Sequence, residues 1–147
     1  MRVAELVLLT VVALSGQAHK ADDPSNADPP VAQSDLQIVH RARQLLNSPA
    51  KWNRADNREC PAHKQTYSLY CALEKAMQEI THDFKHRGAV MQQARFVVDE
   101  VLAKGNHYEH RLMNYNNDPQ TTFADVQKFF SILEQRIKRR LARQSQP

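Results

Sequence analysis

YSLYCALEKAMQEI, residues 67–80, is the stretch on which the fold reading turns. Leu69, Leu73, Ala76 and Ile80 recur at i, i+4, i+7 and i+11, the stripe of an amphipathic helix with one buried face. At about 100° per residue, Cys71 falls roughly 200° round from Leu69, on the face of Lys75 and Gln78. That position takes it out of the core and asks for another partner. The only other cysteine is Cys60.

Outward from this helix the helical period persists. Residues 81–88, THDFKHRG, read as a turn, with one long kinked helix as the alternative because the apolar phase drifts little through Phe84. A helix covering both segments exceeds the usual globular length, which favours the turn. From about Gly88 to Lys104, Val90, Ala94, Val97, Val98 and Val101 share a face, and Gly105 reads as the C-terminal cap. Residues 106–121 collect Asn, Asp and Pro and read as a loop, with one helical turn over Tyr108–Met113. Thr122 and Asp125 then form a capping signature ahead of the most regular pattern in the chain, Val126, Phe130, Leu133, Ile137 and Leu141.

Upstream, residues 50–64 contain the only tryptophan and read as a long loop whose Trp52 anchors onto the helices beneath, a ligand-stacking role being the alternative. Ser34 and Gln37 propose a capping box for a helix ending at Asn47-Ser48-Pro49. HKADDPSNADPPVAQ, residues 19–33, has too little apolar surface to offset its ordering entropy and reads as a disordered leader. Residues 1–18 have an early arginine, an apolar core and a small-x-small end, the pattern of a signal peptide cleaved after Ala18. That apolar run is shorter than the roughly 20 residues of a membrane span, and no second one follows, so no transmembrane segment is expected in the mature chain. The fold expectation is all-α: a single four-helix bundle-like domain over 34–143, preceded by signal and leader and followed by a disordered 144–147 tail.

In an oxidising compartment Cys60 and Cys71 are expected to bridge, stapling the Trp52 loop to the outer face of the central helix. Closing that short loop contributes about 3 kcal/mol. Two free thiols are the alternative, and CxxC spacing for a metal or redox role is absent. His82 and His86 are spaced i, i+4, and His107 and His110 form a second pair. A helix between the pairs separates them by about 25 Å, so each pair alone is the metal-binding candidate. NYNND, residues 114–118, lacks the alternating acids of a calcium loop. No nucleophile elbow or other catalytic motif appears, so an enzyme is the weaker expectation and no cofactor is implied.

The net charge of +4 is concentrated at the end of the chain, where Lys128, Arg136, Lys138, Arg139, Arg140 and Arg143 face only Asp125 and Glu134. Such a helix suits weak contact with an anionic surface. It lacks stacking aromatics, which argues against nucleic acid.

Several features recur in a distinctive order: Trp52 after a Ser-Pro stop, Tyr70-Cys71-Ala72-Leu73, His86-Arg87, His110-Arg111-Leu112-Met113, and Asn116-Asn117-Asp118-Pro119 before Thr121-Thr122-Phe123. In this the chain resembles a small bacterial family of uncharacterised exported helical proteins, over about Leu36 to Leu141. The resemblance implies a periplasmic rather than eukaryotic secretory setting, and no activity. The functional expectation is a non-enzymatic exported (periplasmic or secreted) protein that contacts a protein partner through its loops, with Trp52, Tyr108, Asn116 and Asn117 as contact residues. The alternative is a small-ligand or metal-binding protein using His82, His86, His107 or His110.

Overall fold

The computed structural model describes residues 27–146. The expected signal, residues 1–18, lies outside that range, as does the start of the leader. Residues 27–32, the end of the expected leader, lie against the helices. Val31 is buried, and the Gln92 and Gln93 side-chain amides donate to the Ala27 carbonyl and Asp28 Oδ1 at 2.7 and 2.6 Å. One apolar side chain and two backbone-like amide partners outweigh the prolines here.

Helix α1 spans Gln33–Leu45. Ala32, not Ser34, holds the N-cap position, because Asp35 reaches back to accept the Ala32 N–H at 2.7 Å. The same carboxylate accepts a backbone N–H from Val90, and its burial raises its pKa despite both bonds. After a 3₁₀ turn at Pro49–Lys51, the chain crosses a loop to α2, Leu69–Thr81, which is capped by the Ser68 hydroxyl accepting from the Cys71 N–H. Leu69, Leu73 and Ala76 are fully buried, as the stripe requires. Tyr70 and Cys71 are buried too, so Cys71 is not on an open face. The Cys60 loop crosses above it and closes the disulfide, with Cα atoms 5.3 Å apart.

Helix α2 ends at Thr81, and His82 adopts a left-handed conformation at φ 57°. The long kinked helix is thereby excluded, and so is the i, i+4 helical geometry assumed for His82 and His86. Helix α3, Ala89–Val97, runs into a π-helical turn at Val98–Leu102, marked by the Ala103 N–H donating to the Val98 carbonyl. The extra residue in that turn rotates the register. Val101, expected in the core, is consequently 47% exposed and Leu102 is buried in its place.

Lys104 and Gly105, both at positive φ, reverse the chain. The expected loop over residues 106–121 contains a helix, α4, Arg111–Asn117, displaced towards the C-terminus from the helical turn proposed at Tyr108–Met113. Helix α5, Phe123–Gln144, opens with the anticipated Thr122–Asp125 capping box. Among the described residues the chain is thus all-helical and a single domain, with five α-helices instead of four and no strand. Helix α1 packs between α2 and α5, α3 packs on α5, and α4 packs on α2 and α3. Phe129 and Phe130, edge to face at 5.2 Å, fill the centre.

Candidate functional site

Asn116 and Asn117, at the end of α4, hold the Trp52 loop. Asn116 is fully buried; its Oδ1 accepts from Trp52 Nε1 at 2.8 Å and from the Leu69 N–H at 3.1 Å. Its Nδ2 donates to the Asn53 carbonyl and to Asn117 Oδ1. Asn117 pairs with the Asp56 backbone in both directions at 2.8 Å. Arg54 covers the tryptophan ring at 5.0 Å and Phe123 lies 6.3 Å away. Three of the expected contact residues therefore meet each other, with their polar atoms engaged inside the molecule. Trp52 is the anchor that its size implied.

The histidines are arranged differently from their spacing. His86 and His110 line one cavity of about 240 Å³, whereas His82 and His107 do not. The separation by a helix length fails because residues 103–110, at about 3.3 Å each, are long enough to return alongside α3. Among the described residues no group of three or more His, Cys, Asp or Glu side chains is placed to hold a metal ion.

What surrounds that cavity is a set of arginines. Arg58 comes from the Trp52 loop, Arg87 from the turn after α2, Arg95 from α3 and Arg111 from α4. Among the described residues Glu109 is the only carboxylate in the lining, and Asp99, outside it, pairs with Arg111 at 2.8 Å. Arg95 is partly buried and its partners are neutral. Its Nη1 donates to the His86 carbonyl at 2.9 Å and Gln92 Oε1 at 2.6 Å, and its Nη2 lies 3.0 Å from His86 Nε2. Burial lowers the Arg95 pKa.

A guanidinium only donates, so His86 Nε2 accepts. The neutral ring then carries its proton on Nδ1, 3.2 Å from Tyr70 Oη, and donates it there. Burial first, then Arg95, Arg87 and Arg58, push the His86 pKa down, which keeps the ring neutral. Tyr70 itself lines the cavity. Tyr108, the fourth expected contact residue, stands in the same lining and donates to Asp118 Oδ2 at 2.7 Å. Leu112 and Met113 add apolar surface.

No sequence pattern sets these arginines apart, because they come from four separate stretches of chain. Asp99 lies at i+4 from Arg95, the spacing of a surface ion pair. The π turn starts between them, and Asp99 pairs with Arg111 of α4 instead. A second, smaller gap of about 140 Å³ separates the Cys60 loop from the outer face of α2.

The model of one protein family matches residues 30–136, a span that includes every residue of this cavity and of the asparagine clamp; it is described as a family of unknown function (DUF6197). No curated protein and no solved structure matches the chain.

Proposed function

We propose, for a chain that belongs to this family of unknown function, that it binds a small organic oxyanion, a carboxylate or phosphate, in the cavity beneath His86 and Arg95. The observation that carries the reading is Arg95: a partly buried guanidinium with no carboxylate partner among the described residues, gathered with Arg58, Arg87 and Arg111 around one space. Like charges collected in this way repel, and desolvation makes the repulsion larger. An oxyanion relieves it and accepts the remaining N–H donors, for which the arginine fork is well matched.

The lining is rich in donors and poor in acceptors, which disfavours amines and zwitterions. Tyr70, Tyr108, Leu112 and Met113 suit an organic body. The volume lies just below the roughly 300–1,000 Å³ range of drug-sized sites, so the ligand is small. This reading develops the small-ligand alternative, with His86 orienting donors instead of coordinating metal. The contact reading has less support, because the polar atoms of Trp52, Asn116 and Asn117 are taken up by hydrogen bonds within the protein.

Titration calorimetry at low salt with phenyl phosphate, benzoate and the neutral benzyl alcohol tests the proposal. The anions bind and the alcohol does not. Arg95→Gln weakens anion binding at least about 10-fold, the scale of one charge-assisted hydrogen bond. Arg87→Gln, at an exposed side chain, weakens it less and more so as salt falls. Equal binding of alcohol and anions, or affinities indifferent to both substitutions, overturns it.

The setting we propose is outside the cytosol. The Cys60–Cys71 bridge supports it, since cytosolic thiols are kept reduced, and no described helix is long and apolar enough to cross a membrane. Cell fractionation checks this, a cytosolic chain with both thiols alkylatable being the contrary result.

A further inference from the structure

We infer that the Cys60–Cys71 disulfide is a positioning element of the anion site: it holds Arg58 at the cavity, so that opening the bridge weakens anion binding without dismantling the fold. The inference rests on the proposed anion reading for its functional consequence, but its structural half stands on how the loop is tethered.

The loop between α1 and α2 has two anchored ends. At the first, Trp52 and Asp56 are held by Asn116 and Asn117. At the second, the Tyr67 N–H donates to the Lys51 carbonyl at 2.8 Å and the Asn53 N–H to the Tyr67 carbonyl at 2.9 Å. Between them, the hydrogen bonds of residues 57–66 among the described residues stay within the loop, apart from the contact of the Cys71 sulfur with the Glu59 carbonyl. The Asn57 and Glu59 side chains pair, the Arg58 N–H donates to Asp56 Oδ1, and the Lys64 N–H donates to the Pro61 carbonyl. Their side chains are exposed, apart from Cys60 and Pro61, and the 140 Å³ gap separates them from α2. Among the described residues the covalent link to Cys71, with the close approach of its sulfur to the Glu59 carbonyl at 3.5 Å, is what crosses that gap.

The position of the link matters. Arg58 stands two residues before Cys60, and Tyr70 stands immediately before Cys71; both line the anion cavity. The bridge therefore joins the two chain segments that carry these lining residues, the loop with Arg58 and the start of α2 with Tyr70. Arg58 is at φ 62°, a left-handed conformation that few side chains other than Asn, Asp or Gly adopt. Freed of its tether, the loop gains the conformational entropy that would carry Arg58 out of the cavity. The clamp on residues 52–56 remains, which is why the helical core survives.

The experiment uses the full chain in bridged form, after reduction of the bridge, and as Cys60→Ala/Cys71→Ala, each with and without Arg58→Gln. Two readouts are taken: the His86 titration by NMR, which needs no ligand, and phenyl phosphate affinity. Arg58 is one of the charges that hold the His86 pKa down. Reduction should therefore raise the His86 pKa towards its ordinary range, Arg58→Gln should do the same in the bridged chain, and the two together should add nothing further. Affinity should fall about 3-fold on reduction, less than the Arg95→Gln loss because Arg58 is exposed, and not at all on reduction of the Arg58→Gln chain. A His86 titration that ignores the bridge, or one that shifts equally with Arg58→Gln in place, overturns the inference, as does unchanged affinity. If no anionic probe binds even the bridged chain, the anion reading falls, and the His86 titration still decides whether the bridge positions Arg58. Should the reduced chain unfold, Arg58→Gln in the bridged chain remains informative: a His86 pKa it leaves unmoved removes Arg58 from the site.

Discussion

Asn116 joins the loop, α2 and α4 through a single amide: two bonds accepted and two donated, at a fully buried position. Replacing it by alanine leaves the buried Leu69 N–H and the partly buried indole N–H and Asn53 carbonyl without that partner. Each buried group so stranded costs about 1–3 kcal/mol. Asn116→Ala is therefore expected to lower stability by about 3 kcal/mol or more in urea unfolding, and to leave the Trp52 fluorescence of the native state shifted towards that of an exposed indole. A loss below about 1 kcal/mol would show that the amide is replaceable by water. The sequence pointed to Asn116 as a residue for contact with a partner, whereas the bonds of its amide run to the protein's own interior. An Asn-rich run carries the same composition whether its amides turn outward to a partner or inward to a loop, because the direction depends on tertiary neighbours that no local pattern encodes.

At the scale of elements, readings that rest on short-range physics are reproduced. The Leu69 stripe, the break after α2, the Thr122–Asp125 box and the regular face of α5 each involve residues within a few turns of one another. Asp125 shows how local this is: the Thr122 hydroxyl and N–H hold its pKa below the ordinary aspartate range. What misled were places where a distant residue changes a local rule. Asp35 takes the cap from Ser34 while also serving Val90 of α3, and so links two helix starts. The π turn at Val98–Leu102 moves Val101 outward and separates Asp99 from Arg95. A helix of seven residues forms within a stretch rich in turn formers because Leu112 and Tyr115 are buried against neighbouring elements. The cavity is legible in the sequence only as scattered parts, since its arginines come from four separate stretches of chain.

At the scale of the molecule, the segment before α1 ties three helices together. Ala27 and Asp28 receive the buried amides of Gln92 and Gln93 on α3, Asp28 also accepts from Arg140 of α5 at 2.6 Å, and Val31 is buried beside α1. Burying a valine contributes about 1.5 kcal/mol, and each satisfied buried amide about 1 kcal/mol. A chain beginning at Ala32 should accordingly be about 3 kcal/mol less stable than one beginning at Ala27, read as a lower urea midpoint. The same truncation reaches the anion cavity, because Gln92 Nε2 holds Ala27 while Gln92 Oε1 accepts from Arg95. With Ala27 gone, the Gln92 side chain loses one of its fixed ends, and the guanidinium that it orients is held less firmly. The shorter chain should therefore bind phenyl phosphate more weakly at a temperature where both chains are folded. Equal midpoints would show that residues 27–31 rest on the surface without stabilising it. A lower midpoint with undiminished affinity would separate the strap from the site and leave His86 alone to orient Arg95.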